Sequence, residues 1–557
     1  MTTGPGAADI LQAYEEAAAL RPWAKLPGTV MPAANGATTA LDLFRAAPPQ
    51  APALFYFDAV LSYADADDLS NRLAGWLAAR GVVARDRVAI ILQNTPQFAI
   101  ATVAAWKLGA IVVGLNPMYR KAELKKLFAD CAPQAILCHG DQWSTVVEAA
   151  GSLVAPEDVL WTSGRAFQSR NDERVLPPDV NAPAAQALSR ILAASASPFP
   201  AAQIAPDDVG LLLYTSGTTG VPKGAMLTHS NLVHNARLCA VHFALGPQSR
   251  IFGVAPLFHV TGFELQLLGA FAAGAAQVLT YRFQPAVVLD AFLEHRPTFI
   301  IGAITAFIAL MNQPDATQAH FASFDQLYSG GAPIAPAVVE AFAQRFGRAI
   351  RTSYGMTELT APSHLAPAEG KIPVDPTSGA LSIGIPTPGT DVIVVDEARR
   401  PLGPGAYGEV VVRGPTVMAG YWQKPVETGE VLLGGWMHTG DIGFFDAAGW
   451  FYLVDRKKDM ISASGFKVWP REVEDVLYAF PGVREAAVVG APDSYRGETV
   501  IAFVSPEPGV ALDVAALTRF CRERLAAYKC PARIDILPEL PKTASGKITR
   551  NTLKPAP

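Results

Sequence analysis

At 557 residues the chain is too long for one compact core and leaves room for about three to four domain-sized units. Half of it is apolar and 17% is charged, which excludes a disordered or collagen-like chain. A net charge of −5 gives no support to a nucleic-acid partner, and five scattered cysteines with no CxxC pair predict neither a disulfide framework nor a structural zinc, as suits a reducing cytoplasm.

Residues 1–16 are Ala/Gly-rich with acidic members and lack a basic start and an apolar stretch, so no secretory signal is expected. Leu69, Leu73, Trp76 and Leu77 recur at helical spacing up to Gly81. The run 88–114 comes closest to a membrane span, but Gln93, Asn94, Gln97 and Lys107 interrupt it. It reads instead as strand 88–92, helix 96–108 opened by its proline, and strand 111–115, followed by helix 121–129 and strand 135–138. This alternation predicts a parallel sheet with helices on both faces, and it resumes at 278–280, 286–294 and 299–301. The Ala/Pro/Ser-rich stretch 176–206 suits a surface connection with a short helix, not a core. Past Glu369, short Val/Ile runs at 392–395, 409–412 and 443–445 predict a small β-rich subdomain. The last hundred residues read as a compact α+β unit: helix 471–479, strands 486–489 and 500–504, helix 512–527. The charged string 455–459 at its start reads as an exposed linker.

The strongest chemical signal is Thr215-Ser216-Gly217-Thr218-Thr219-Gly220-Val221-Pro222-Lys223-Gly224, a loop leaving the apolar run 209–213. Its glycines free the backbone to turn N–H groups toward an anion, its hydroxyls add donors, and Lys223 adds a positive charge. That composition suits a nucleotide polyphosphate, although the spacing is not that of a Walker A loop.

The loop resembles the phosphate-loop signature of the adenylate-forming superfamily, which holds acyl-CoA synthetases, firefly-type luciferases and peptide-synthetase adenylation domains. The resemblance continues in the family's order over about residues 60 to 554. Ser329-Gly330-Gly331-Ala332-Pro333 is similar to the segment lining the adenine pocket, and Ser353 with Tyr354-Gly355-Met356-Thr357-Glu358 to the aromatic–Gly–x–Thr–Glu element. Gly408-Glu409, Arg413-Gly414-Pro415 and Gly420-Tyr421-Trp422 resemble a structural motif, and Thr439-Gly440-Asp441 the ribose-binding aspartate. Residues 455–472 resemble the hinge and the loop after it, and Pro541-Lys542-Thr543-Ala544-Ser545-Gly546-Lys547 the C-terminal lysine motif.

The resemblance implies an α/β fold: a large N-terminal domain over 1–457, with two βαβ-type sheets and a small β-rich subdomain, then a mobile α+β domain over 458–557. It implies a two-step reaction. A carboxylate attacks the α-phosphorus of Mg-ATP to give acyl-AMP and pyrophosphate; coenzyme A then displaces AMP. In these roles Tyr354 offers a flat ring to the purine, Glu358 a hard oxygen for Mg²⁺, and Asp441 a carboxylate for the ribose hydroxyls. Arg456 would bind the same sugar or the phosphate, though it also fits a solvated charge run with its two lysine neighbours. Lys547, on a Ser-Gly turn, would screen the repulsion between the two anions that must react. His259 would line the carboxylate pocket without acting as a base, since a carboxylate needs no deprotonation near neutral pH. Lys458 stands at the hinge position, and Ser464 and Gly465 would face the pantetheine arm after the C-terminal domain swings.

The acyl pocket should include Val260, Thr261, Gly262, Phe263 and residues 302–307, mostly apolar or small; Glu264 is the odd member, with solvent exposure as the bland expectation. The string 455–461 and Asn116-Pro117-Met118-Tyr119 are most similar to bacterial medium- and long-chain fatty acyl-CoA ligases. Ser462 and Ser464 stand where plant-type hydroxycinnamate ligases carry Lys, which counts against that branch. An aryl or cyclic acid remains the alternative, as does an enzyme that loads a carrier protein, although no carrier domain fits before Pro557. Only 25 residues separate Glu358 from Gly384, little space for the insertion of fatty acyl-AMP ligases. A non-enzymatic nucleotide-binding module would bind ATP without pyrophosphate release; intact Lys547, Glu358 and Asp441 argue against it. Luciferase-like oxidation shares these motifs. The expected partners are a small carboxylic acid, ATP and CoA, with no nucleic acid and at most peripheral membrane contact.

Overall fold

The computed structural model describes residues 7–554 except 27–30, 32–35, 179–181, 195–197, 216–221, 333, 457–458, 464–465, 494–496 and 544–545. Two large mixed sheets form the body of the N-terminal part. The seven-stranded sheet runs Gly420–Tyr421, Lys223–Thr228, Val209–Thr215, Ile111–Gly114, Arg87–Ile91, Ala135–His139, Val159–Thr162. Its last five strands are parallel and the first two pairings antiparallel. The nine-stranded sheet runs Ile385–Pro386, Ala361–Leu365, Ile350–Met356, Gln326–Gly330, Phe299–Gly302, Arg250–Phe252, Ala276–Leu279, Pro52–Tyr56, Ala59–Ser62. It too is parallel inside and antiparallel at its edges.

The apolar, β-branched runs of the central strands explain this placement. Val88 to Ile91 and Ile111 to Val113 are buried on both faces, as a parallel strand between helical layers requires. The helix Pro96–Lys107 is buried along its whole length, so it packs on all sides. Lys107, 1% exposed, is tolerated there because its ammonium reaches the Asp67 carboxylate (2.7 Å), Ser70 Oγ (2.7 Å) and Asn71 Oδ1 (2.6 Å). The expected elements between 63 and 139 are present within a few residues of their expected ends.

The stretch 176–206 differs from its reading as purely surface. It does carry a short helix, Leu188–Leu192, but Leu176, Leu188 and Leu192 are buried in the main apolar core. Its leucines fall at wide intervals among Ala, Pro and Ser, so composition hid them.

The β-rich subdomain pairs Asp391–Val395, Gly408–Arg413, Trp436–Phe445 and Leu432–Leu433, with Phe451–Arg456 added to the long central strand. The C-terminal unit is a five-stranded sheet built around Gly497–Pro506, which forms a hairpin with the edge strand Val483–Asp493, and the helices Pro470–Tyr478 and Val514–Arg524 lie beside it. Among the described residues, no helix is long and apolar enough to cross a membrane.

The string expected as an exposed linker behaves otherwise at its first residue. Asp455 is the penultimate residue of the strand Phe451–Arg456 and accepts from Arg550 Nη1 (2.8 Å) and the Arg471 backbone N–H (3.0 Å), with a side chain only 4% exposed. Arg550 also grips Glu474 through Nε (3.0 Å) and Nη2 (2.7 Å). Two buried carboxylates close together need a counter-charge, and a guanidinium three residues past Lys547 supplies it.

Candidate active site

The glycine-rich loop closes a β-hairpin rather than opening a helix. Thr215 and Lys223 face each other in register across the ends of Val209–Thr215 and Lys223–Thr228, and Thr215 Oγ1 donates to the Lys223 carbonyl at 3.4 Å. Positions 216–220 lie outside the described residues, as do Pro333, Lys458, Ser464, Gly465 and the Arg456 side chain. The Lys223 ammonium stands 5.3 Å from the centre of the Tyr421 ring.

Tyr421 links Lys223 to Glu358, the two ends of the expected phosphate site. Its hydroxyl donates to Glu358 Oε1 at 2.8 Å, while the Glu358 carbonyl accepts from the Met418 N–H at 2.9 Å. Both side chains are nearly buried, so the carboxylate is fixed in direction. Among the described residues, no group of three or more His, Cys, Asp or Glu side chains could hold a metal ion. One oriented carboxylate still fits Mg²⁺ that arrives with nucleotide phosphates as most of its ligands. The carboxylate is legible in the sequence, whereas the tyrosine that holds it, 63 residues on, carries no local sign of that contact.

The expected adenine and ribose residues lie together. The Tyr354 hydroxyl donates to Asp441 Oδ2 at 2.7 Å, and both are buried. His364 backs the Tyr354 ring (centroids 5.5 Å apart) and packs on Phe451 at 4.8 Å. Burial drives its imidazole down to about 3, so it is a neutral spacer. Gly355 must be glycine: a Cβ there would lie 1.8 Å from the Ala361 carbonyl oxygen. Thr357 opens the 3₁₀ turn Thr357–Leu359, and the strand register sets Arg456 opposite Asp441.

The C-terminal lysine reaches this site. The segment 541–549 folds back on itself: Thr543 N–H donates to the Lys547 carbonyl (2.7 Å), Gly546 N–H to the Thr543 carbonyl (2.9 Å) and Thr549 N–H to the Pro541 carbonyl (2.8 Å). Thr305 Oγ1 donates to the Gly546 carbonyl at 2.8 Å and pins the turn on the N-terminal domain. A Cβ at Gly331 would lie 3.0 Å from Lys547 Cε and 3.5 Å from its Nζ, so the glycine (φ +75°) leaves room for the ammonium. Arg471 Nη2 donates to the Ile334 carbonyl at 2.5 Å and holds the two domains together next to that segment.

His259 is partly buried, and its imidazole is pushed down to about 3, first by desolvation and then by the nearby Lys547 charge. A neutral ring beside an ammonium can accept or donate one hydrogen bond but cannot hold a proton at neutral pH. The expected acyl wall is corrected in three places. Phe263 faces the core, edge-on to Trp106 (5.9 Å) and Phe98 (6.2 Å). Phe307 packs on Phe342 at 5.7 Å in a second core. Glu264 does not face solvent: it is completely buried.

Comparison with known proteins agrees with this geometry. The AMP-binding enzyme family matches residues 43–422, and the AMP-binding enzyme C-terminal domain matches 472–547. A long-chain-fatty-acid–CoA ligase of Bacillus subtilis is 34% identical over 519 residues, 91% of each chain. A feruloyl-CoA synthase of an Amycolatopsis species is 36% identical, over 91% of this chain and 96% of its own. Among solved structures, ATP-bound MatB from Rhodopseudomonas palustris superposes with a TM-score of 0.82 at 27% identity, covering 93% of this chain and 98% of its own. With both domain signatures in order and relatives matched along nearly their full length, the chain belongs to the family of AMP-binding enzymes.

Proposed function

We propose that the protein is an ATP-dependent, AMP-forming acyl-CoA ligase acting on a carboxylic acid with a largely apolar body. One observation supports this most: the C-terminal domain carries Lys547 across to Gly331 and His259, where a carboxylate and an α-phosphate would have to meet. In the first step a carboxylate oxygen bonds to the α-phosphorus and the bond to pyrophosphate breaks. Lys547 offsets the charge shared by the two anions, Glu358 would hold a Mg²⁺ that offsets charge on the departing phosphates, and Tyr354 and Asp441 hold the nucleoside. Thr215, Lys223 and the intervening loop cradle the phosphates. In the second step the CoA thiol, losing its proton, bonds to the acyl carbon and AMP leaves; Lys458 is the hinge, and Ser464 and Gly465 line the pantetheine path.

The long-chain-fatty-acid–CoA ligase relative supports a medium- or long-chain fatty acid, and the feruloyl-CoA synthase relative supports an aryl acid as the second reading. The test is pyrophosphate release from MgATP across C2 to C18 and aryl acids, with the CoA ester followed by mass. Release of pyrophosphate and matching formation of an acyl-CoA support the proposal. ATP binding with neither product would refute it, and acyl-AMP that CoA never consumes would refute its second half.

A further inference from the structure

Glu264 has no part in the two steps above, yet it lies beside the site. It belongs to Thr261–Leu268, a stretch wound as a π-helix, a geometry that recurs at functional sites. This helix starts two residues after His259. Farther along it, Gln266 Nε2 donates to the Ile301 carbonyl at 2.6 Å. That strand leads on to Thr305, which holds the Lys547 turn. The helix therefore borders the place where the carboxylate would sit.

Phe263 takes the core side of the helix, and Glu264 turns instead toward Ala236 and Cys239 on the neighbouring helix His229–His242. The Ala236 backbone N–H lies nearest its carboxyl, but neither oxygen is met in good hydrogen-bond geometry among the described residues. Next to Ala236, the Asn235 side chain gives its N–H to the Thr360 carbonyl, two residues past Glu358, and leaves its own oxygen unmet. Three unmet polar atoms thus lie along two adjacent helices. Burial pushes the Glu264 acid well above the usual carboxylate range, so it stays protonated at neutral pH, with one O–H to give and one C=O to accept. An unpaired polar group in a closed interior weakens the fold. A bound molecule that brought its own polar group would satisfy it.

We propose that Glu264 is a specificity-determining residue whose carboxyl hydrogen-bonds a hydroxyl or amino group on the acyl portion of the acid substrate. The preferred acid, aliphatic or aryl, carries a polar group away from its carboxylate, on the chain or on a ring.

The inference rests on the CoA-ligase reading, and its test separates the two. Matched pairs are compared: 4-hydroxycinnamate with cinnamate, and 8-hydroxyoctanoate with octanoate. The wild type should favour the hydroxylated member of at least one pair by about tenfold or more in kcat/KM. In Glu264→Met, close in size but without the hydrogen bond, that ratio should fall toward one with no change in KM for ATP, and the protein should melt at a higher temperature because an unpaired carboxyl is gone. Glu264→Gln, which keeps a donor and an acceptor, should retain most of the preference. Binding of the hydroxylated acid should also shift the infrared C=O band of the protonated carboxyl in the wild type, and that shift should be missing in Glu264→Gln; this reading holds even if the Met variant does not fold. Equal use of both members of both pairs, or a preference that survives in Glu264→Met, would overturn the inference. Failure of every acid to release pyrophosphate would overturn the ligase reading instead, and the infrared shift would still decide the binding role.

Discussion

Removing one oxygen from Tyr421 is a sharp probe of the phosphate end of the site. Tyr421→Phe deletes the hydroxyl that donates to Glu358 Oε1 at 2.8 Å, and both residues are 6% exposed. Water cannot easily replace the lost donor. A hydrogen bond to a charged group contributes about 1.5–3 kcal/mol, which is roughly a ten- to hundredfold effect on a rate or affinity. The Phe ring still packs as before and still faces the Lys223 ammonium, so the phosphate loop keeps its other anchor. The assay is steady-state pyrophosphate release against MgATP. Its kcat/KM should fall by about ten- to a hundredfold, while thioester formation from supplied acyl-AMP should stay within about twofold, since no pyrophosphate leaves in that step. An unchanged kcat/KM for MgATP, or equal losses in both half-reactions, would refute the idea that Tyr421 holds a metal-binding carboxylate.

Thr305→Val removes the hydroxyl that pins the Gly546 carbonyl, and one neutral hydrogen bond of about 0.5–1.5 kcal/mol should slow acyl-AMP formation by roughly two- to tenfold and spare the second half; a larger loss in thioester formation would contradict this. Gly331→Ala should also slow adenylation selectively, because the residue has φ +75° and its methyl group would press on Lys547 Cε; full activity would show that the ammonium works elsewhere. Acid should destabilise the fold early. Burial holds His139, His229 and His242 at about 4 and His259 and His364 at about 3, so below 6.5 the unfolded chain takes up protons that the folded chain does not. Stability is lost as pH falls from 6.5 toward 4, by up to about 2 kcal/mol per histidine at pH 5. Tm should drop between pH 7 and pH 5, and a flat or rising Tm would contradict it.

Much of the architecture could be read from local pattern. Strands such as 88–92 and 299–301 and helices such as 96–108 follow from short-range periodicity and proline punctuation, and both appear. Motif order gave the two-domain plan and the family. Side-chain direction was less legible. Phe263 and Glu264 are neighbours in an apolar run, and the π winding that turns one into the core and the other toward a helix leaves no signature in composition. Long-range partners were equally hidden. Nothing local joins Tyr421 to Glu358, Thr305 to Gly546, or Arg550 to Asp455, since each pair meets only when separate sheets or domains pack. The charged neighbours of Asp455 make it read as solvated, whereas its burial depends on a guanidinium 95 residues away.

The central claim is that the ammonium of Lys547 joins the acid to the nucleotide and has no part in the transfer to CoA. Lys547→Ala should be assayed in each half separately: pyrophosphate release from MgATP and acid, and acyl-CoA formation from synthetic acyl-AMP. A collapse of the first rate by a hundredfold or more, with the second nearly unchanged, is the expected result. Equal loss in both halves, or an undiminished first rate, would contradict it.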